Sequence, residues 1–182
     1  MKKTQKGFTL VELVVVIAII GVLAAILVPS MLNYVKKSRL KTANANAKTA
    51  YNAASELFAD AETQGYNLTA VLTATSATSF QIKTDSVYDA KTASSISDEG
   101  AKKVGQILAE NGDEAGCFKV LKEVINGENS YRVYWAKTTS DTMIGCYPDA
   151  ITWQEWKDAS NNTSFALSSF NVSNVSRSYQ SW

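Results

Sequence analysis

From Phe8 to Leu32 the chain is apolar on every side: these 25 residues hold a single ionisable group, Glu12. As a helix the run would measure about 37 Å at 1.5 Å per residue, enough to cross a bilayer core that needs about 20 apolar residues. Beyond Leu32 the helical period persists but becomes one-sided. Leu40, Ala43, Ala47, Ala50, Ala54, Leu57 and Ala61 recur at alternating spacings of three and four, with Tyr51 and Phe58 beside them. Such a stripe predicts packing against another layer. Alanine favours helix, and Gly65 is a suitable C-terminal stop. One helix over residues 8 to about 63 is the expectation. Gly21 and Pro29 are its weak points, because glycine raises the entropy cost of helix and proline removes a backbone donor.

The pattern then changes period. Residues 66–96 are rich in Thr, Ser and Ala and read as a connection, with Phe80-Gln81-Ile82-Lys83 as a short strand. A second helix is predicted from Ser97 as N-cap, with Asp98 and Glu99 in its first turn and Gly112 after its end. Its face of Ala101, Val104, Ile107 and Leu108 should dock on the head. Phe118 to Ile125, Asn126-Gly127, and Ser130 to Lys137 read as a β-hairpin, since Asn-Gly suits a type I′ turn. Tyr131, Val133 and Trp135 alternate with Arg132, Tyr134 and Ala136, so one face should pack on the long helix. Thr142 to Tyr147 is a third strand, halted by Pro148. Trp153 and Trp156 fit a short helix or turn, and the tail from Asn161 to Trp182 has only a weak pattern. The fold class is therefore α+β, a long N-terminal helix packed on an antiparallel sheet.

Lys2, Lys3 and Lys6 precede the apolar run and should hold that end in the cytoplasm. A secretory signal peptide also has a basic start, but its apolar part is only about 7 to 15 residues long. A carboxylate near the membrane costs about 2.5 to 3.5 kcal/mol on insertion scales, so Glu12 needs a function that a plain anchor does not supply.

The stretch Lys6-Gly7-Phe8-Thr9-Leu10-Val11-Glu12-Leu13 resembles the class III signal of type IV prepilins and the related pseudopilins. Basic leader, Gly before the cut, Phe after it, Glu at a fixed offset and an unbroken apolar run all agree, and Gly21 and Pro29 fall where that family has its helix-weakening residues. The resemblance covers roughly residues 1 to 60. It implies cleavage between Gly7 and Phe8 by a prepilin peptidase, methylation of the new Phe8 amine, retention of the apolar run, and an assembly role for Glu12. The layout implied is a leader over 1–7, a transmembrane and filament-core helix over 8–32, its amphipathic half over 33–63, and a globular head over 64–182.

Charge adds polarity to this picture. The precursor carries +1, and loss of the three leader lysines takes it to −2. Lys36, Lys37, Arg39, Lys41 and Lys48 form a basic neck of +5, whereas from Thr49 onward 16 acids face 10 bases. A neck of one subunit beside the head of another would use this distribution, although lysines that only mark a membrane surface or solvate a helix fit it as well.

Cys117 and Cys146 fall in the part expected outside the cell, where disulfides persist, and the resemblance favours a bridge as well. A simple meander opposes it, because strands separated by a third lie about 9 to 10 Å apart, beyond the roughly 7 Å Cα limit. Either one cysteine leaves the sheet or both are buried thiols. The chain has no histidine, which removes the commonest general base and metal ligand. Two cysteines fall short of a zinc set, and no nucleophile or phosphate-binding motif is present. Asp98-Glu99 and Asp113-Glu114 read as dipole partners at helix ends. No enzymatic activity, cofactor or metal is expected.

The resemblance implies a single-pass membrane precursor that becomes an extracellular filament subunit. Its partners would be identical subunits, the peptidase, the inner-membrane assembly machinery and, before assembly, lipid. A pseudopilin of a type II secretion or DNA-uptake machine is the alternative within the family. Adhesion to a surface polymer or DNA through Trp135, Trp153, Trp156, Tyr179 and Trp182 is the alternative of another class.

Overall fold

The computed structural model describes residues 7–72, 79–83, 86–110, 115–125, 127–160 and 167. Two compact units, Met1–Ser38 and Arg39–Trp182, make up the chain. Helix α1, Leu10–Thr63, supplies residues to both. In the first unit every described side chain is exposed.

In the second unit α1 buries the stripe anticipated from its spacing, from Leu40 to Ala61 with Phe58 beside it, and adds Ala53 to it. The helix stops where glycine allows a left-handed residue: Gly65 has φ +86. Its N–H donates to the Glu62 carbonyl and that of Tyr66 to the Ala61 carbonyl, both at 3.0 Å. These are the two bonds of a Schellman stop. A short helix α2, Leu68–Leu72, follows, and then strand β1, Val87–Asp89, and a 3-10 segment, Ala90–Ser95.

Helix α3, Glu99–Glu110, starts two residues after Ser97. Ala101, Val104 and Leu108 are buried as predicted, and Ile107 is half-buried. Asp98 does more than face a helix dipole: it is buried and accepts a 2.7 Å hydrogen bond from the Tyr88 hydroxyl. Burial and this carboxylate push the Tyr88 phenol well above its ordinary range. Gly112 and the Asp113-Glu114 pair lie outside the described residues.

Strands β2, Cys117–Ile125, and β3, Glu128–Ala136, form the predicted hairpin. Ile125 pairs with Glu128 across the two-residue turn, and Gly127 has the positive φ, +87, that the turn demands. Strand β4, Gly145–Tyr147, completes an antiparallel sheet of order β1-β2-β3-β4. It is shorter than the Thr142–Tyr147 expected. Phe80–Lys83 is not a strand: the Ile82 N–H donates to the Val71 carbonyl, and the Gln81 carbonyl accepts from Gly100 and Ala101. Its alternation of apolar and polar residues serves a clip joining α2 to α3.

One sheet face carries Phe118, Val120, Val133 and Trp135 into the core built on α1. Tyr131 stacks on Tyr51 at 4.8 Å and meets Phe58 edge-on at 4.6 Å. The opposite face is also buried. Cys117, Tyr134, Ala136 and Cys146 form a second core with Leu40, Ile144, Ile151 and Trp156. Part of its cover is helix α4, Trp153–Ser160. Arg132 lies on this second face and is only 2 % exposed, and its guanidinium contacts Glu123 at 2.6 Å and Asp149 at 2.8 Å.

Both cysteines are buried thiols with no bridge between them. Cys117 pairs with Ala136 and Cys146 with Tyr134, on opposite sides of β3, so the meander geometry keeps them apart. The bridge favoured by the resemblance is thus absent. Trp135 and Trp156 are core residues at 2 % and 7 % exposure, with their indole N–H groups on the carbonyls of Ala115 and Thr142. Burial removes both from the surface an adhesin would use. Trp153 is half-buried and stacks on Trp156, while Tyr179 and Trp182 lie outside the described residues.

Candidate assembly site

The N-terminal end of α1 is built by four consecutive letters, Thr9-Leu10-Val11-Glu12. The Thr9 backbone N–H and hydroxyl both donate to Glu12 Oε2, at 2.9 and 2.6 Å, and the Glu12 N–H donates back to Thr9 Oγ1 at 3.3 Å. This is a reciprocal capping box, in which an N-cap threonine and the carboxylate three residues later satisfy each other's orphan donors. Thr9 was not among the residues singled out from the sequence, although a Thr-x-x-Glu pattern before an apolar run is the signal for it. Thr152 and Glu155 repeat the arrangement at the start of α4, with bonds of 2.7 and 3.3 Å.

The consequence for Glu12 is chemical. Both hydrogen bonds that the carboxylate accepts use Oε2, so Oε1 makes none among the described residues, and the side chain is exposed. A cation delivered to this end of the helix would find one carboxylate oxygen held by the cap and the other available. Gly7 and Phe8 immediately precede the cap without regular secondary structure, and Phe8 is 79 % exposed. Neither has helical structure protecting the peptide bond between them.

From Leu10 to Leu32 the helix shows apolar side chains all round, with Leu10 at 78 % and Ile26 at 69 % exposure. Monomeric soluble proteins do not leave such a surface in water, so a membrane or partner chains must cover it. It is the one helix among the described residues long and apolar enough to cross a membrane. Gly21 and Pro29 do not interrupt it: α1 is helical through both. Proline nonetheless leaves one carbonyl of the preceding turn without its donor, and the Ser30 hydroxyl donates to the Ile26 carbonyl at 3.3 Å beside it. Nothing lies within 4 Å of where a Gly21 side chain would begin.

Residues 2–28 match the family described as the prokaryotic N-terminal methylation motif. The chain is 48 % identical over 60 residues to fimbrial protein EcpC of Eikenella corrodens, a match covering 33 % of this chain and 39 % of that protein. It is 58 % identical over 40 residues to type IV major fimbrial protein FimA of Dichelobacter nodosus, covering 22 % and 26 %. It is 55 % identical over 53 residues to the type IV major alpha-pilin of Moraxella bovis, covering 28 % and 33 %. The chain thus spans less than two fifths of the length of these relatives, and no solved structure matches it.

The capped helix, apolar on every side from Leu13 to Leu32, bears the methylation motif at its tip and is followed in sequence by an antiparallel α+β head. Over its first 60 residues at most, this chain is similar to type IV pilins and fimbrial proteins, and its residues 2–28 carry their N-terminal methylation motif.

Proposed function

We propose that the chain is the repeating structural subunit of a type IV pilus-like filament, inserted in the membrane as a precursor, cut between Gly7 and Phe8, N-methylated on Phe8 and assembled through α1. The observation that carries this reading is the exposed apolar length of α1 with the motif at its tip. Once membrane lipid is left behind, only the same segment of other subunits offers an equally apolar cover. The relatives, named as fimbrial and pilin proteins, favour a filament over a secretion machine.

Cleavage would free an amine at Phe8, the first cation on the mature chain before Lys36. Methylation leaves it positive. Inside a bundle of helices Glu12 must meet such a cation or become protonated, and Oε1 is the atom open to it. A pair made with a neighbour's Phe8 fixes the axial register of each incoming subunit.

Glu12→Val should leave cleavage and insertion intact and reduce assembled filament at least tenfold, measured by comparing membrane and sheared surface fractions. Gly7→Val should instead block cleavage, because the peptidase must approach that backbone closely. Mass spectrometry of a mature chain beginning anywhere but Phe8, or normal filaments from the Glu12→Val variant, would refute this mechanism.

A further inference from the structure

We propose that the groove between α1 and α3 in the head seats the basic stretch around Lys37 and Lys41 of a second copy of this chain, an interface that rests on the filament reading above. The groove has a volume of about 260 Å³, with Ala53, Leu57 and Ile107 along its floor and Glu56, Asp60 and Glu110 on its rim. The floor is buried or half-buried and the three acids are exposed. Among the described residues none of these carboxylates has an ion-pair partner. Lys103 also borders the groove, but its Nζ lies 5.0 Å from the centre of the Phe80 ring. The rim is left acidic.

An apolar floor under an acidic rim selects a particular ligand. Lysine and arginine lay an aliphatic stem on apolar surface while the charged head reaches a polar edge. An acidic or neutral peptide would gain from only half of this surface. The chain itself carries the matching pattern on the same helix: Lys37 and Lys41 are exposed and one turn apart, as Glu56 and Asp60 are.

The spacing gives the geometry of the contact. Nineteen residues separate each lysine from the corresponding acid, which is about 29 Å along a helix. A parallel copy displaced by that distance brings both charge pairs level at once. Nineteen residues also exceed five full turns by about 100° at 3.6 residues per turn, so donor and acceptor surfaces lie on different sides of the helix. Two different surfaces make a heterologous contact, which need not close on itself and so can propagate. A closed two-fold dimer would require one self-complementary surface instead.

The test uses filaments of the unaltered chain. A carbodiimide, which joins an amine directly to a carboxylate, should couple Lys37 or Lys41 to Glu56 or Asp60, and peptide mass spectrometry would identify the link. Because even Lys41 and Glu56, the pair nearest in sequence, are 15 residues apart on α1, about 22 Å of helix, such a link must join two copies. It should be absent from detergent-dispersed subunits. In parallel, Glu56→Lys with Asp60→Lys, and separately Lys37→Glu with Lys41→Glu, should each lower filament yield about tenfold while leaving mature subunit in the membrane. All four changes together should restore most of the yield. Filaments in which these lysines couple only to other acids, or normal yield from either reversed pair, would overturn the groove assignment while leaving the filament reading standing. A wild-type chain that builds no filament would overturn the filament reading itself.

Discussion

Asn44 does the work of several residues at the edge of the head. Its Oδ1 accepts from the backbone N–H groups of Cys146 and Ile151, at 3.0 and 3.1 Å, and its Nδ2 donates to the Ile151 carbonyl at 2.9 Å. One side chain of α1 thereby fixes both β4 and the segment after it. Asn44→Leu keeps the branched shape but removes the acceptor of two partly buried donors, each costing about 1 to 3 kcal/mol. We expect a loss of about 2 to 6 kcal/mol, read as a lower urea midpoint of the detergent-solubilised subunit, with the mature chain still produced. Beside it, a side chain at Gly145 would collide with the Ala43 carbonyl, so β4 approaches the helix as closely as backbone permits. Cys117 gives a different measurement. Burial, with a smaller contribution from Asp89, pushes its thiol up to about 11 from an ordinary 9.0. The unfolded chain then loses this proton first as pH rises, so this group's stabilisation is full below about pH 9 and declines from there to about pH 11. Cys117→Ala should flatten that part of the alkaline unfolding curve. Iodoacetamide at pH 8 should leave both thiols unmodified in the folded head and label both after unfolding without reductant. A disulfide would block the second result.

The long helix and the hairpin were legible in the sequence because each depends on neighbours a few residues away. Spacings of three and four drew the buried stripe of α1 from Leu40 to Ala61, and Asn126-Gly127 set the β2–β3 register. What escaped depends on distant partners. Arg132 reads as polar in strand alternation and is buried only because Glu123 and Asp149 meet it there. Phe80 and Ile82 alternate like a strand, yet their backbone bonds go to Val71, Gly100 and Ala101. Val87–Asp89 is too short to carry a period of its own, and β2 makes it a strand. Thr9 is local as well: the Thr-x-x-Glu pattern ahead of the apolar run marks its capping box with Glu12. Within α1, Gly21 and Pro29 cost about 1 and 3 kcal/mol of helix stability relative to alanine. We therefore propose that this segment melts in part on assembly. Gly21→Ala with Pro29→Ala should give stiffer filaments in lower yield, seen as a longer persistence length in electron micrographs. Unbroken helix through residues 21–29 in a reconstruction of the wild-type filament would exclude this.

The molecule separates its two kinds of surface along the chain. The first unit presents apolar side chains without any core of its own, and the second buries both faces of a four-stranded sheet. The separation follows from where the stripe begins: no residue of α1 before Leu40 is buried, and Ala43 and Asn44 follow it within one turn. That position has a mechanical meaning for a subunit under tension. In the filament proposed above, a pull along α1 would reach Leu40, the Asn44 amide and the close contact with β4 before the alanines further on. Alanine contacts are non-directional and tolerate small slips, whereas three hydrogen bonds of fixed geometry do not. The rim of the head, rather than its centre, is where the strain of a stretched filament would concentrate.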